Sequence, residues 1–324
     1  MNSVGRRRKT VLFYRLALFA AAFFVLIPLC SLPEGTRDPL SSSWSLPWDL
    51  SPGPVPNPAL FSESGYEDES IRVRVETREE EGVIWHLAFV EIASPTQLRT
   101  GTASRDNLLS RRTASVSKMA AAANAVVAIN GDYYMNDPRE ASVEYRMKQK
   151  IRHKAYREKD VLLIDDRGDF HLIRPEGRQT TARQNAVLTE AFSAWEVVNA
   201  FTFGPALVVD GQVQTINPRY SYTPNRKDPR SAVGQTGRLS YVLAVAEGRG
   251  DSPGATMQEL AEFMGRLGCQ QAYNLDGGNS SQLVFGSVVY KGQPSASDRG
   301  LNDILYFATA VPEKTWNPAP GDPE

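Results

Sequence analysis

The chain has 324 residues, a hydrophobic fraction of 41% and a formal net charge of -1. That length suits one large domain or two small ones, and that apolar fraction suits a packed globular core. Near-neutral charge, with no cluster of bases interleaved with aromatics in the globular part, excludes a surface built for nucleic acid.

The N-terminus reads GRRRKTVLFYRLALFAAAFFVLIPLC. Arg6, Arg7, Arg8 and Lys9 precede an apolar run over 11–30 that only Arg15 interrupts. A basic cluster ahead of such a run marks residues 1–30 as a membrane anchor or signal segment, with the N-terminus held in the cytoplasm. No small-x-small cleavage pattern follows it cleanly. The expectation is a membrane-anchored protein, contacting the membrane through 11–30. Its globular part would be extracytoplasmic, periplasmic or at the cell surface; secretion after cleavage is the alternative. Residues 31–68 carry seven prolines among serines and glycines and are expected to run extended as a linker. The folded unit is then 69–312, followed by a loose Pro-rich tail over 313–324.

Within the folded unit, ESIRVRVET alternates at Ile71, Val73 and Val75, the pattern of a half-buried strand, and VIWHLAFVEI is a second. SVSKMAAAANA predicts a short helix and AVVAI an apolar strand after it. VLLIDDRGDFHLI predicts a hairpin, and ALVVDGQVQTI another, with Asp210-Gly211 suited to a tight primed turn. SAVGQTGRLSYVLAVAEG predicts a third, turning near Thr236-Gly237. Thr256 with Glu259 three residues on is a capping box. Met257, Leu260, Ala261, Met264 and Leu267 then mark one helical face, and Gly268 ends the helix. The strand AYNL follows. Strands dominate and one helix–strand unit lies near the end, so the expected class is α+β with a mixed, strand-rich sheet and a few helices. Cys269 reads as a small buried residue, and Cys30 and Cys269 imply no disulfide framework. His86 and His171 sit in strand-like runs, and no histidine pair has the spacing of a zinc site.

Several strands end in polar residues that do not build cores. AVVAI runs into Asn130-Gly131-Asp132-Tyr133-Tyr134, and YVLAVA into Glu247-Gly248-Arg249. AYNL runs into Asp276-Gly277-Gly278-Asn279-Ser280-Ser281, and Asp228-Pro229-Arg230 precedes SAVGQ. Each alone reads as a turn or a cap. Together they predict strand ends converging on one cleft, where glycines let backbone N–H groups approach a ligand.

The ordered segments AINGDYY, FGPALVVDGQV, DPRSAVGQ, VAEGRG, GATMQELAEFMGRLGCQQAYNLDGGNSSQLV and SDRG resemble the phosphodiester glycosidase family over about 125–308. That family includes the lysosomal uncovering enzyme, which removes N-acetylglucosamine from mannose-6-phosphate diesters, and bacterial proteins related to exopolysaccharide. The stretch 275–281 resembles the family's Leu-Asp-Gly-Gly-Gly-Ser-Ser run. Asn279 stands where the third glycine is usual, and Asp132 where a second glycine is common. The resemblance implies cleavage of a sugar C1–O bond that leaves a phosphate monoester, so carboxylates should flank C1 and a cation should hold the phosphate. Asp276 is the expected catalytic carboxylate, with Glu247 and Asp132 as partners. Arg230 is the first choice for the phosphate, with Arg249 and Arg299 as alternatives. Asn130, Asn279 and Ser280, with the backbone at Gly277 and Gly278, are expected to bind sugar or phosphate oxygens. A serine nucleophile is not expected, because no histidine lies in these segments. Two other readings stay open. One is a non-catalytic glycan-binding or exopolysaccharide assembly protein. The other is a metal-assisted phosphodiesterase, with Asp132, Asp276 and Asn279 as oxygen ligands to Ca2+ or Mg2+. Otherwise no cofactor and no metal ligand is implied, and the expected partner is a glycan or sugar phosphate.

Overall fold

The computed structural model describes residues 44–104, 107–132, 142–153, 159–174, 180–248, 250–291 and 299–316. No helix among them is long and apolar enough to cross a membrane, and the expected anchor over 11–30 lies outside them. The described residues form three sheets, of eight, five and five strands, with three helices. The strand-rich α+β expectation holds in that form.

The mixed sheet does not hold, because every strand pair among the described residues is antiparallel. The helix–strand unit explains the difference. The strand Ser240–Ala246 leads through a helix, Met257–Arg266, to the strand Gln271–Asn274. Those two strands do not pair; Arg230–Gly237 lies between them and is antiparallel to both. The helix itself forms as expected. Thr256 Oγ1 accepts from Glu259 N at 3.1 Å, and Glu259 Oε2 accepts from Thr256 N at 2.7 Å. Its apolar stripe packs on the large sheet, where the Phe263 ring stacks on Trp85 at 3.9 Å. Burying an aromatic ring of that size contributes roughly 1.5–3 kcal/mol.

All three hairpins are present. Asp210 and Gly211 both have positive φ, 49° and 74°, as a type I′ turn requires. The third hairpin turns at Arg238-Leu239, just beyond the expected position, because Gly237 still pairs with Ser240. Cys269 is a buried thiol whose pKa burial pushes up to about 12. A helix over Thr181–Ala194 has no counterpart in the sequence-based reading. It buries little beyond Gln184, Leu188 and Ala191, too thin a stripe to stand out.

The expected linker over 31–68 is not free from residue 47 onward. The guanidinium of Arg99, buried in the third sheet, donates to the carbonyls of Pro47 at 2.9 Å, Asp49 at 2.8 Å and Ser51 at 3.1 Å. Asn124 Nδ2 donates to Gly53 O at 2.8 Å, and Gly65–Glu67 adds a strand to the edge of the large sheet. An extended Pro-rich segment cannot complete a ladder, but its carbonyls remain available, and buried donors of the domain collect them. At the other end, Glu313–Thr315 makes one 3-10 turn capped by Trp316, and 317–324 lies outside the described residues.

Candidate active site

The convergence of strand ends is realised by main-chain hydrogen bonds. Leu275 N donates to Ser231 O at 2.9 Å, Gly278 N to Pro229 O at 2.8 Å and Asp276 N to Gly131 O at 3.3 Å. Asp276 thus joins the end of Gln271–Asn274 in the large sheet to the end of Val127–Asn130 in the third. Asn130 is the hub of this junction. Its Nδ2 donates to Asp276 O at 2.7 Å and Gly131 O at 3.1 Å. Its Oδ1 accepts from Ser231 Oγ at 2.8 Å and Gln282 N at 3.2 Å. Both donors and both lone pairs are therefore taken, so the expected ligand-binding Asn130 is instead a structural tie.

Asp276 is buried, and its Oδ2 has no hydrogen-bond partner among the described residues; neither do Ser280 Oγ and Ser281 Oγ. Three orphan polar atoms so close in sequence are rare in a folded interior and mark a place prepared for a ligand or water. Burial pushes the Asp276 carboxyl up to about 6; the nearby Ser280 hydroxyl, short of hydrogen-bond geometry, and Arg299 favour its charged form, and Asp132 adds to the rise. Gly278 sits at φ +60°, with nothing within 4 Å of where a Cβ would stand. It is there for backbone shape, turning the chain into the short helix Gly278–Ser280. Gly277 lies against Pro229, whose carbonyl a Cβ would approach to 3.0 Å. Asn279 is exposed rather than at the floor of the site.

Asp132 belongs to a cluster that the sequence reading did not assemble. Arg146, with no exposed side-chain surface, places Nη2 at 2.8 Å from Asp132 Oδ1, 3.2 Å from Glu144 Oε2 and 2.6 Å from Asp303 Oδ2. Its Nε donates to Asp303 Oδ2 at 2.7 Å, its Nη1 to the Tyr145 and Ala200 carbonyls, and its plane covers the Phe201 ring at 4.1 Å. Asp132 Oδ2 accepts from Thr202 N at 3.1 Å. Burial pushes Asp303 up to about 7, opposed by Arg146 and assisted by the charges of Asp132 and Asp276. The mutual influence of Asp132, Asp276 and Asp303 makes one electrostatic unit. Arg146 supplies positive charge to Asp132 and Asp303, and Arg299 to Asp276. Among the described residues no group of three or more His, Cys, Asp or Glu side chains is arranged to hold a metal ion.

Arg230 does not present a fork to a phosphate. It donates from Nε to Ala255 O at 3.0 Å, from Nη1 to Tyr222 O at 3.4 Å, and from Nη2 to Thr223 O at 3.0 Å and Arg226 O at 2.7 Å. Tyr222 and Thr223 are consecutive non-glycine residues at positive φ, 67° and 48°. The guanidinium holds that strained loop. Glu247 lies at the same end of the large sheet, where His86 Nε2 meets its Oε1 at 2.6 Å and His86 Nδ1 meets Thr77 Oγ1 at 2.9 Å. Arg299 is half-buried and within electrostatic reach of Asp276. Arg249, Tyr133 and Tyr134 lie outside the described residues.

Known proteins share this architecture. A hypothetical protein from Synechocystis superposes with a TM-score of 0.57 at 17% identity, over 74% of this chain and 62% of that one. The zebrafish N-acetylglucosamine-1-phosphodiester alpha-N-acetylglucosaminidase catalytic domain, auto-inhibited by its pro-peptide, superposes with a TM-score of 0.56 at 15% identity, over 74% and 82%. At such identities these two establish the fold. The SPbeta prophage-derived uncharacterized protein YomE of Bacillus subtilis (strain 168) is 32% identical over 108 residues, 33% of this chain and 17% of that protein. The chain therefore matches about a sixth of the length of that relative. The family model described as phosphodiester glycosidase matches residues 123–308, more than half of the sequence, and the chain belongs to the phosphodiester glycosidase family.

Proposed function

We propose that the protein hydrolyses a glycosyl phosphodiester, breaking the sugar C1–O bond and releasing free sugar and a phosphate monoester. Family membership supports glycosidase-type hydrolysis. The observation that carries the finer reading is Asp276, buried, with an unpartnered Oδ2 beside the open hydroxyls of Ser280 and Ser281. In this scheme the C1–O electron pair departs onto the phosphate oxygen, a group that needs little protonation to leave. Asp276 stabilises the oxocarbenium-like carbon and takes a proton from the water that adds to it. A carboxyl poised near 6 is anionic at neutral pH yet basic enough for that transfer. Ser280 and Ser281 donate to sugar or phosphate oxygens, and Asp132, buried and fixed by Arg146 and Thr202, acts through its charge, which raises the Asp276 carboxyl. Arg299 is the cation best placed toward the phosphate, since the Arg230 guanidinium is engaged with backbone carbonyls. The reaction belongs on an extracytoplasmic glycan, a placement that rests on the basic and apolar pattern over 6–30.

The test incubates the full chain with an N-acetylglucosamine-1-phosphodiester and with UDP-N-acetylglucosamine, and measures free sugar. Release that Asp276→Asn abolishes supports the reading. No release from either compound, together with glycan binding that survives Asp276→Ala, replaces it with a binding protein on the same fold.

A further inference from the structure

Three carboxylates crowd one nitrogen in the Arg146 cluster, where the side chains of Arg146, Asp132, Glu144 and Asp303 are at most 1% exposed. Fully ionised, they would leave two uncompensated negative charges in a buried site. Asp132 and Glu144 both reach Arg146 Nη2, at 2.8 Å and 3.2 Å, which brings their buried carboxyl groups side by side. Two carboxyl groups share a hydrogen bond only when one carries a proton. The contacts say which one. Asp132 receives N–H donors on both oxygens, from Arg146 Nη2 and from Thr202 N. Asp303 Oδ2 receives two contacts from Arg146, at 2.7 Å and 2.6 Å. Glu144 has the longest contact of the three, 3.2 Å, and its Oε1, like Asp303 Oδ1, has no partner among the described residues.

We propose that Glu144 is a positioning residue that stays protonated at neutral pH and donates that proton to Asp132, locking Asp132 and Arg146 in place near Asp276. Its catalytic consequence rests on the hydrolysis reading above; its protonation does not. The charged groups facing Glu144 are Asp132, beyond the strand Val127–Asn130, Asp303 on Asp303–Phe307, and Arg146 on its own strand. Arg152 lies opposite it in the strand register, and Asp276 acts on the cluster through Asp303 and Asp132. The strand Val197–Phe201 contributes the Ala200 carbonyl and the Phe201 ring, neither of them titratable. Burial and the Asp132 charge, the two largest influences on Glu144, both push its pKa well up, which agrees with the contact pattern. A neutral Glu144 also removes one negative charge that would oppose ionisation of Asp276.

Infrared difference spectroscopy on the full chain tests this without substrate. At pH 8 the wild type should show a carboxylic-acid carbonyl stretch that shifts in heavy water and is missing from Glu144→Gln. No such band in the difference spectrum overturns the proposal. Should Glu144→Gln fail to fold, wild type labelled with 13C at glutamate Cδ gives the same answer. One resonance should keep its protonated position through pH 8; titration of every glutamate in the ordinary range overturns it. In turnover, Glu144→Gln should stay within about threefold of wild-type kcat, since the amide still donates to Asp132, whereas Glu144→Leu should lose roughly a hundredfold. Equal loss in both variants, with the infrared band present, would leave the proton in place and remove the positioning role.

Discussion

The side-chain amide of Asn130 donates to the main-chain carbonyl of Asp276 across 2.7 Å, and that bond joins two sheets at the point where the candidate carboxylate projects. Asn130 bonds to Ser231 and Gln282 as well, so removing its amide strands several buried groups at once. Each stranded group costs about 1–3 kcal/mol. Asn130→Ala should therefore lower stability by roughly 3 kcal/mol or more in urea unfolding and abolish activity with it. A variant of wild-type stability that had lost only substrate affinity would return Asn130 to the ligand-binding role.

Asp276→Asn should leave the fold intact, because the amide keeps the shape of the side chain and the buried charge it replaces is costly. Turnover should fall by at least about a hundredfold. In the wild type the acid limb of kcat/KM should be centred near 6, since the carboxyl is pushed up to about 6. Below that pH Asp276 is protonated and cannot accept a proton, so activity rises as pH increases through the limb. A limb near 4 would show that the working carboxylate is a different one.

Arg230→Lys tests the reassignment of that arginine. An ammonium on a flexible stem cannot reproduce the fork that reaches Ala255, Thr223 and Arg226 together. The expected result is a drop of about 1–3 kcal/mol in stability and faster proteolytic cleavage within 222–226, with KM little changed for protein that remains folded. A raised KM at unchanged stability would restore the phosphate role.

The place of Asp276 where two strand ends meet was legible in the sequence because its neighbours break a rule: two glycines and two serines after a strand exceed what a turn needs. The capping box and the hairpins were legible because they are local. The Arg146 cluster was not. Glu144 and Arg146 alternate along Val143–Arg146, and alternating charges on a strand read as a solvent face. They are buried because Asp303, more than 150 positions away, arrives from another sheet. Arg230 was misread for a related reason. An arginine at a strand end looks available until the loop over 222–226 folds back on it. Likewise, nothing local in SPGPVPNP announces that Arg99 will gather the carbonyls around it.

The proton assigned to Glu144 also has a consequence for stability. Its carboxyl is held well above the ordinary range in the folded protein, while in the unfolded chain it ionises near 4.3. Between those values the unfolded state has released a proton that the folded state keeps. Folding therefore loses about 1.4 kcal/mol for each pH unit of increase, from this group alone. The contribution is complete below about pH 4 and declines as pH rises toward the folded value. Glutamine at this position has no such titration. The stability of Glu144→Gln relative to wild type should accordingly improve from pH 5 to pH 8, with a slope approaching one proton. Urea midpoints at pH 5, 6, 7 and 8 for both proteins measure it. A difference that stays constant across those four values would mean that Glu144 is already ionised in the folded protein.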